Sequence, residues 1–203
     1  MSLSKYAFVT VGASASFKSL VDEVVSDAFL SKLKSLGFTV LMVQCGPDFD
    51  YFESVRPPYQ PGKLYVHGFA YKPDIRAEMK LATAEAGSRS MGLIITHAGS
   101  GSILDALDFN TNLIAVPNPT LMDNHQSEIA DEMEKQGLLI QGKIGSLVDV
   151  VNADTLNAPK KKWPPAPDAD SACPGGLWQV IEAVTFSQNG STSPTDLDEK
   201  KES

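Results

Sequence analysis

The amino-acid sequence predicts an α/β fold, in which a mostly parallel β-sheet is covered by helices on both faces. Short apolar runs alternate with amphipathic helical patterns along residues 5–151, and this alternation is typical of a parallel sheet. Two of the strand-to-helix junctions are also rich in glycine and serine. Ligands of open parallel sheets bind beyond the carboxyl ends of the strands, where such junctions lie.

The first half of the chain contains three predicted strands and one long helix. Residues 5–11 form an apolar run typical of a buried strand, and residues 17–36 carry apolar side chains at helical spacing. Gly37 follows, as glycine commonly does at a helix end. Residues 38–44 and 64–67 predict the second and third strands, joined by a loop with four prolines.

The second half continues the same alternation. The predicted elements are a helix over 73–86, a strand over 92–96, a helix over 102–108, a strand over 113–116, a helix over 123–136, and two closing elements over 138–141 and 146–151. The proline at position 73 lies in the first turn of its helix, where no backbone hydrogen bond is lost.

Composition excludes several classes of protein. The 203 residues carry a net charge of −8, which argues against nucleic acid as a partner because backbone phosphates would be repelled. Two cysteines, Cys45 and Cys173, are too few for a disulfide framework and favour a reducing compartment. We expect no signal peptide and no membrane span, since no apolar run approaches about 20 residues.

The composition changes near residue 153, where we predict that the α/β domain, residues 1–153, ends. Residues 154–174 are rich in proline and are predicted to be a linker; the three lysines within it are either solvated or contact an acidic surface. Residues 175–186 have helical spacing and predict a docking helix, and residues 187–203 predict a disordered tail. The apolar face of this helix contains Trp178, Val180, Ile181 and Val184.

Both glycine-rich turns are candidate anion sites. A helix N-terminus presents unpaired N–H groups, and small residues let a phosphate approach the backbone. The alternative is a tight turn with an ordinary helix cap. The residues concerned are Gly12, Ala13 and Ser14 in the first turn, and Gly99, Ser100, Gly101 and Ser102 in the second.

Neither turn fits a common nucleotide or nucleophile motif. No lysine follows the glycines as a Walker loop requires. Leu104 replaces the last glycine of a dinucleotide fingerprint, which disfavours an NAD-dependent oxidoreductase. Ser16 replaces the final glycine of a G-x-S-x-G elbow, which disfavours a serine hydrolase.

Side chains beside the second turn suggest a ligand with hydroxyl groups. Asp105 lies one helical turn into the helix and can accept both hydroxyls of a ribose, or it can merely stabilise the first turn. His97 can act as a base, contact a phosphate, or bond to the backbone at the strand end. Phe69, at another strand end, can form an apolar wall for a base.

A polar cluster precedes the last long helix. Asp123, Asn124, His125 and Gln126 combine groups that suit the many hydroxyls of a sugar, or they merely cap the helix. Asp48 and Asp50 are formally a DxD pair, but acidic pairs at this spacing also occur elsewhere in the chain. We therefore expect no metal site.

Three stretches carry a resemblance to a known family: FVTVGAS, GLIITHAGSGSILDAL and PNPTLMDNHQSEIADEM. They resemble the small catalytic subunits of the eukaryotic UDP-N-acetylglucosamine (UDP-GlcNAc) transferase that adds the second sugar of the dolichol-linked oligosaccharide. These subunits are similar to the donor-binding C-terminal half of a bacterial GT-B transferase of glycosyltransferase family 28. The resemblance covers about residues 5–152 and implies a Rossmann-like fold.

The resemblance also implies roles for the candidate residues. The two glycine-rich turns would contact the diphosphate, and Asp105 would contact the ribose, where the bacterial relative has Glu. Phe69 would lie near the uracil, and Asn124, His125 and Gln126 would contact the GlcNAc hydroxyls. Among the candidate residues, His97, Asp105 and His125 are the expected catalytic residues.

The reaction implied is transfer of GlcNAc from UDP-GlcNAc to dolichyl-diphosphate-GlcNAc with inversion and without a cofactor. A membrane-anchored partner subunit would bind the acceptor and recruit this chain, through the helix of residues 175–186, to the cytosolic face of the endoplasmic reticulum. Away from the partner the chain would be cytoplasmic. A non-catalytic UDP-sugar sensor with the same site remains the alternative.

Overall fold

A computed structural model describes residues 3–121 and 125–164 of the chain. The predicted docking helix with its four apolar residues, the predicted tail, Asp123 and Asn124 lie outside the described residues. The predictions made for them therefore stay predictions.

Six parallel strands form one sheet in the described part of the chain. The strands are β1 (Tyr6–Thr10), β2 (Val40–Gln44), β3 (Tyr65–Phe69), β4 (Leu93–Thr96), β5 (Asn112–Ala115) and β6 (Ile140–Gln141). Their order across the sheet is β3-β2-β1-β4-β5-β6, and each neighbouring pair is parallel. This is the strand order of a Rossmann fold, so the predicted fold class is confirmed.

Helices connect these strands. Among the described residues they are α1 (Lys18–Val25), α2 (Asp27–Ser35), α3 (Phe49–Val55), α4 (Arg76–Leu81), α5 (Ser100–Leu107), α6 (His125–Lys135), α7 (Leu147–Val150) and α8 (Ala153–Asn157). No helix in this part of the chain is long and apolar enough to cross a bilayer.

The helix predicted over residues 17–36 is two helices, so that prediction was wrong in detail. Ser26 is extended (φ −62°, ψ 146°) and its side chain accepts a hydrogen bond from the N–H of Phe29, 3.2 Å away. It thereby caps α2 and breaks the helix. The apolar spacing continues across the break because both helices pack on the same face of the sheet, with Val24 and Phe29 fully buried in one core cluster.

Two further helices differ from the sequence prediction. Residues 46–55, part of the loop predicted between the second and third strands, form a short 3-10 helix (Gly46–Asp48) and then α3. The helix predicted over 73–86 is only α4, because the Asp74 carboxylate accepts the N–H of Arg76 at 2.8 Å and starts the helix there. At its other end, the Thr83 hydroxyl donates to the carbonyl of Lys80.

The sheet is buried on both faces. Alternate strand residues such as Val9, Val43 and Ile95 belong to a core cluster with α1, α2, α3, α7 and α8. The intervening residues, such as Phe8 and Ile94, are equally buried and point to the other face. Leu156 of α8 belongs to the core cluster, so ordered packing extends past the predicted domain boundary at residue 153.

Candidate functional site

The candidate site lies where the strand order reverses. β1 pairs with β2 on one side and with β4 on the other, so the chain connections leave the carboxyl ends of β1 and β4 in opposite directions. This leaves a crevice, the usual place of a ligand in such sheets. Both predicted glycine-rich turns border it, because one follows β1 and the other follows β4.

The two turns leave the sheet in the same way. Thr10 and Thr96 are register partners at the ends of β1 and β4. The hydroxyl of Thr10 accepts the N–H of Gly12 at 3.2 Å, and the hydroxyl of Thr96 accepts the N–H of Ala98 at 3.3 Å. Both N–H donors belong to residues with positive φ, 90° for Gly12 and 62° for Ala98. The sequence analysis did not single out either threonine.

His97 packs between the two turns. A Cβ atom added at Gly12 would lie 2.9 Å from the His97 ring, and one added at Gly99 would lie 2.4 Å from its Nε2. Both glycines are therefore required by the imidazole. Burial lowers the pKa of His97 below its usual value, so the ring is neutral at neutral pH. Its buried Nδ1 has no hydrogen-bond partner among the described residues.

The helix that follows the first turn already has an anion at its N-terminus. The buried carboxylate of Asp48 accepts the N–H of Phe17 at 2.6 Å and the hydroxyl of Ser16 at 2.8 Å. This explains the DxD pair in part, because one of its carboxylates is used within the fold. Gly46 tightens the same junction, since a Cβ there would lie 2.4 Å from the carbonyl oxygen of Gly12.

The helix that follows the second turn has no such occupant among the described residues. Gly99 is the N-cap residue of α5 and provides no side-chain hydrogen bond. Ser100 and Gly101 are exposed, and no atom lies within 4 Å of a Cβ added at Gly101. The first N–H groups of α5 thus open to the crevice together with the hydroxyls of Ser100 and Ser102, a favourable place for a phosphate.

Asp105 is paired, which the sequence analysis did not predict. The guanidinium of Arg76 donates to Asp105 Oδ1 at 2.9 Å and to Asp108 Oδ2 at 2.9 Å. The carboxylate nevertheless lies one turn from the open start of α5, as the sequence analysis proposed. Arg76 is the first residue of α4, and the sequence pattern predicted other bounds for this helix. The pattern therefore did not connect Arg76 with Asp105.

Phe69 ends β3, the edge strand of the sheet, which is separated from β1 by β2. Its ring stacks on Phe8 with centroids 6.5 Å apart, and the ammonium of Lys72 lies 4.7 Å from its centroid. Its carbonyl accepts the N–H of Cys45 at 2.9 Å. Burial raises the pKa of the Cys45 thiol to about 12, so this residue packs as an inert apolar group behind the site.

The loop between β5 and α6 approaches the first turn through Asn118. The Asn118 amide donates to the carbonyl of Ser16 at 2.9 Å, and its backbone N–H donates to Gln126 Oε1 at 2.9 Å. The structure therefore brings Gln126 near the first glycine-rich turn. His125 begins α6 with its Nδ1 buried and 3.8 Å from Glu128 Oε2. The sequence analysis missed Asn118, whose side chain links the two loops.

The site is an open crevice. Within residues 3–121 and 125–164, no group of three His, Cys, Asp or Glu side chains could hold a metal ion. Two cavities, of about 230 and 120 Å³, lie instead near the amino ends of β5 and β6, one beside Thr111 and the other beside Leu139. They are separate from the glycine-rich turns and share no residue with them.

Comparison with known proteins agrees with this geometry. Residues 6–171 match the family described as "Glycosyltransferase family 28 C-terminal domain". The UDP-N-acetylglucosamine transferase subunit ALG13 of Yarrowia lipolytica is 36% identical over 140 residues, 68% of this chain and 66% of that protein.

Two solved structures are similar in fold. An NMR solution structure of ALG13 superposes with a TM-score of 0.55 and 28% identity, covering 76% of this chain and 88% of that one. The crystal structure of Acinetobacter baumannii MurG gives a TM-score of 0.52 at 18% identity and covers 75% of this chain and 43% of that one. The second likeness supports the fold alone.

Proposed function

Because the chain belongs to the family of glycosyltransferase family 28 C-terminal domains, we propose that it is the catalytic, donor-binding subunit of a UDP-GlcNAc transferase in dolichol-linked oligosaccharide synthesis. The name of its relatives supports the donor and the subunit character. The observation that carries the proposal is the uncapped start of α5 with Asp105 one turn away, at the reversal of strand order. That arrangement suits the diphosphate and ribose of a nucleotide sugar.

The proposed reaction transfers GlcNAc from UDP-GlcNAc to dolichyl-diphosphate-GlcNAc. The 4-hydroxyl of the acceptor sugar attacks the anomeric carbon of the donor as the bond from that carbon to the β-phosphate oxygen breaks. The configuration inverts, UDP leaves with the electron pair, and a base takes the hydroxyl proton. The product has a β1,4 linkage between the two sugars.

The chain's own contribution is to hold the donor and to stabilise the leaving group. The N–H groups at the start of α5, with Ser100 and Ser102, meet the charge that develops on the diphosphate. Asp105 accepts the ribose hydroxyls, and Phe69 lies against the uracil. Gly12, Ala13 and Ser14 border the diphosphate from the other side, without a cofactor.

Sugar recognition falls to the start of α6, where Asn124, His125 and Gln126 contact the GlcNAc hydroxyls. His97 is neutral and is held between the glycine-rich turns. It therefore acts beside the diphosphate as an uncharged imidazole and adds no positive charge. These roles are inferred from the chemistry of each group.

The acceptor side of the reaction requires a partner. We assign the acceptor site and the base for the 4-hydroxyl to a membrane-anchored subunit, which recruits the chain to the cytosolic face of the endoplasmic reticulum. The predicted docking element is the segment with Trp178, Val180, Ile181 and Val184. The chain without this subunit is then nearly inactive.

A reconstituted transfer assay with labelled UDP-GlcNAc and dolichyl-diphosphate-GlcNAc tests the proposal. The full chain, co-expressed with its membrane partner, transfers labelled GlcNAc, whereas Asp105→Ala and His125→Ala lower transfer by about 100-fold or more. Circular dichroism checks that both variants keep the fold. Wild-type rates in both variants contradict the site, and a complex that binds UDP-GlcNAc without transfer identifies a sensor.

A further inference from the structure

The guanidinium of Arg76 is held from three directions. It donates to Asp105 Oδ1 and to Asp108 Oδ2, both at 2.9 Å, and its central carbon lies 5.2 Å from the centroid of the Phe109 ring. The backbone of Arg76 is fixed as well, because its N–H donates to the carboxylate of Asp74 at 2.8 Å. One cation therefore joins the start of α4 to two carboxylates on α5.

These contacts contribute little to the stability of the fold. The side chains of Arg76, Asp105 and Asp108 are 43%, 45% and 47% exposed, and ion pairs at such exposure are screened by water. The ion pairs instead fix how the three side chains are oriented relative to one another. Asp105 and Asp108 are one turn apart on the same helix, so their like charges repel each other unless a cation lies between them.

The pairing leaves half of the Asp105 carboxylate available. Oδ1 is occupied by Arg76, whereas Oδ2 has no hydrogen-bond partner among the described residues. A carboxylate can accept hydrogen bonds at both oxygens, so Oδ2 can accept a ribose hydroxyl while Arg76 stays in place.

We propose that Arg76 is a positioning residue for nucleotide binding: it orients the carboxylate of Asp105 so that Oδ2 accepts the ribose hydroxyls. The inference rests on the proposed function, since it concerns the same nucleotide. Residues 70–75 connect Phe69, which we propose lies against the uracil, with Arg76, so the base and the ribose would be recognised by two ends of one segment.

This role requires the planar guanidinium of arginine, which presents several N–H groups in a fixed geometry. Two carboxylates at i and i+3 each receive a separate N–H group of Arg76, which a lysine ammonium cannot match with the same planar geometry. Arg76→Lys therefore keeps the charge but loses part of the orientation. Arg76→Met loses both and leaves Asp105 and Asp108 to repel each other.

Calorimetric titration of the full chain with UDP and with 2′,3′-dideoxy-UDP tests the proposal. Arg76→Met weakens UDP binding by about tenfold, Arg76→Lys weakens it less, and the dideoxy nucleotide binds both variants as it binds the wild type. Asp108→Asn is the matched control, because it removes the negative charge of one partner of Arg76 and keeps Asp105. It changes UDP affinity by less than about twofold.

A double-mutant cycle separates this role from direct contact. In an Asp105→Ala background, Arg76→Met has no further effect on UDP affinity if it acts through Asp105. A loss of dideoxy-UDP affinity in Arg76→Met, an additive effect in the double mutant, or an equal loss in Asp108→Asn overturns the inference while the proposed function stands. A wild-type chain that does not bind UDP overturns both.

Discussion

The two glycine-rich turns look alike in sequence and differ in what occupies the helix behind them. After β1, the start of α1 is taken by the buried carboxylate of Asp48. After β4, the start of α5 has no side-chain cap, and its first residues are exposed. Composition alone suggests an anion site at both turns, but within the described residues only the first has a buried carboxylate beside its helix start.

This difference indicates that a turn made of small residues can allow close packing within the fold or can leave room for a ligand. The missing side chain of Gly12 leaves room for the His97 ring, and the missing side chain of Gly46 leaves room for the carbonyl oxygen of Gly12, so three segments pack closely at this turn. Gly101 faces open space, so packing gives no reason for the absence of a side chain there. Substitutions that add one methyl group to either junction should therefore have opposite consequences.

Gly46→Ala should give the largest effect, because Gly46 has φ 52° and its new Cβ would lie 2.4 Å from the Gly12 carbonyl oxygen. We expect the free energy of unfolding, measured with urea, to fall by about 3 kcal/mol. Gly62→Ala is the control for left-handed strain alone, since Gly62 has φ 78° and open space around it. It should cost about 1 kcal/mol; equal losses would mean that contact with the first turn is unimportant.

Asp48→Ala should come next, because it removes the acceptor for the N–H of Phe17 and the hydroxyl of Ser16 in a buried place. Urea unfolding should show a loss of about 2 kcal/mol. Asp50→Ala alters the exposed member of the same acidic pair and should stay within about 0.5 kcal/mol of the wild type. A large loss in both variants would argue that the pair acts together, as a metal site would require.

Gly101→Ala tests the second turn with the same chemical change. The methyl group meets no atom within 4 Å, and alanine favours a helix over glycine, so stability should rise by up to about 1 kcal/mol. UDP-GlcNAc affinity, measured by calorimetry on the full chain, should fall by roughly tenfold because the methyl group obstructs the open N–H groups. Unchanged affinity would remove the start of α5 from the donor site.

His97 joins the two turns and should produce the smallest effect, a pH dependence. Its pKa is lowered by burial, so below about pH 6.5 the unfolded chain binds a proton that the folded chain excludes. Stability should therefore be full above that pH and fall as the pH is lowered toward 5.

His97→Asn should flatten this slope in urea titrations at several pH values. His67→Gln is the parallel control, because burial lowers the pKa of His67 too but its ring stacks on Tyr65, away from the turns. An unchanged slope in His97→Asn would mean that the imidazole is not excluded from protonation by the fold.

The sequence predicted the alternation of strands and helices because that signal is local and periodic. The family resemblance and the parallel sheet were confirmed. The break at Ser26 was missed although a serine followed by Asp27 is an ordinary capping signal, because the apolar spacing continues across it. The short helix α3 was missed within the predicted loop because glycine and proline precede it.

The contacts that distinguish the two turns could not be predicted, because they join residues far apart in the chain. Asp48 reaches Phe17 across 31 positions, Arg76 reaches Asp105 across 29, and Asn118 reaches Ser16 across 102. Each partner depends on strand order, which no local pattern gives. The sequence could name Asp105 as a candidate but not the guanidinium that holds it.

The Cys45 thiol lies behind the crevice, and its reactivity can report how often the fold opens around it. Only a thiolate reacts readily with iodoacetamide, and burial raises this pKa to about 12, so the folded molecule is protected at neutral pH. Once Cys173 is replaced by serine, the alkylation rate measures how often the strands on either side of Cys45 separate. Ligands that close the crevice should slow that reaction, which makes donor binding visible in mass spectra without any label on the nucleotide.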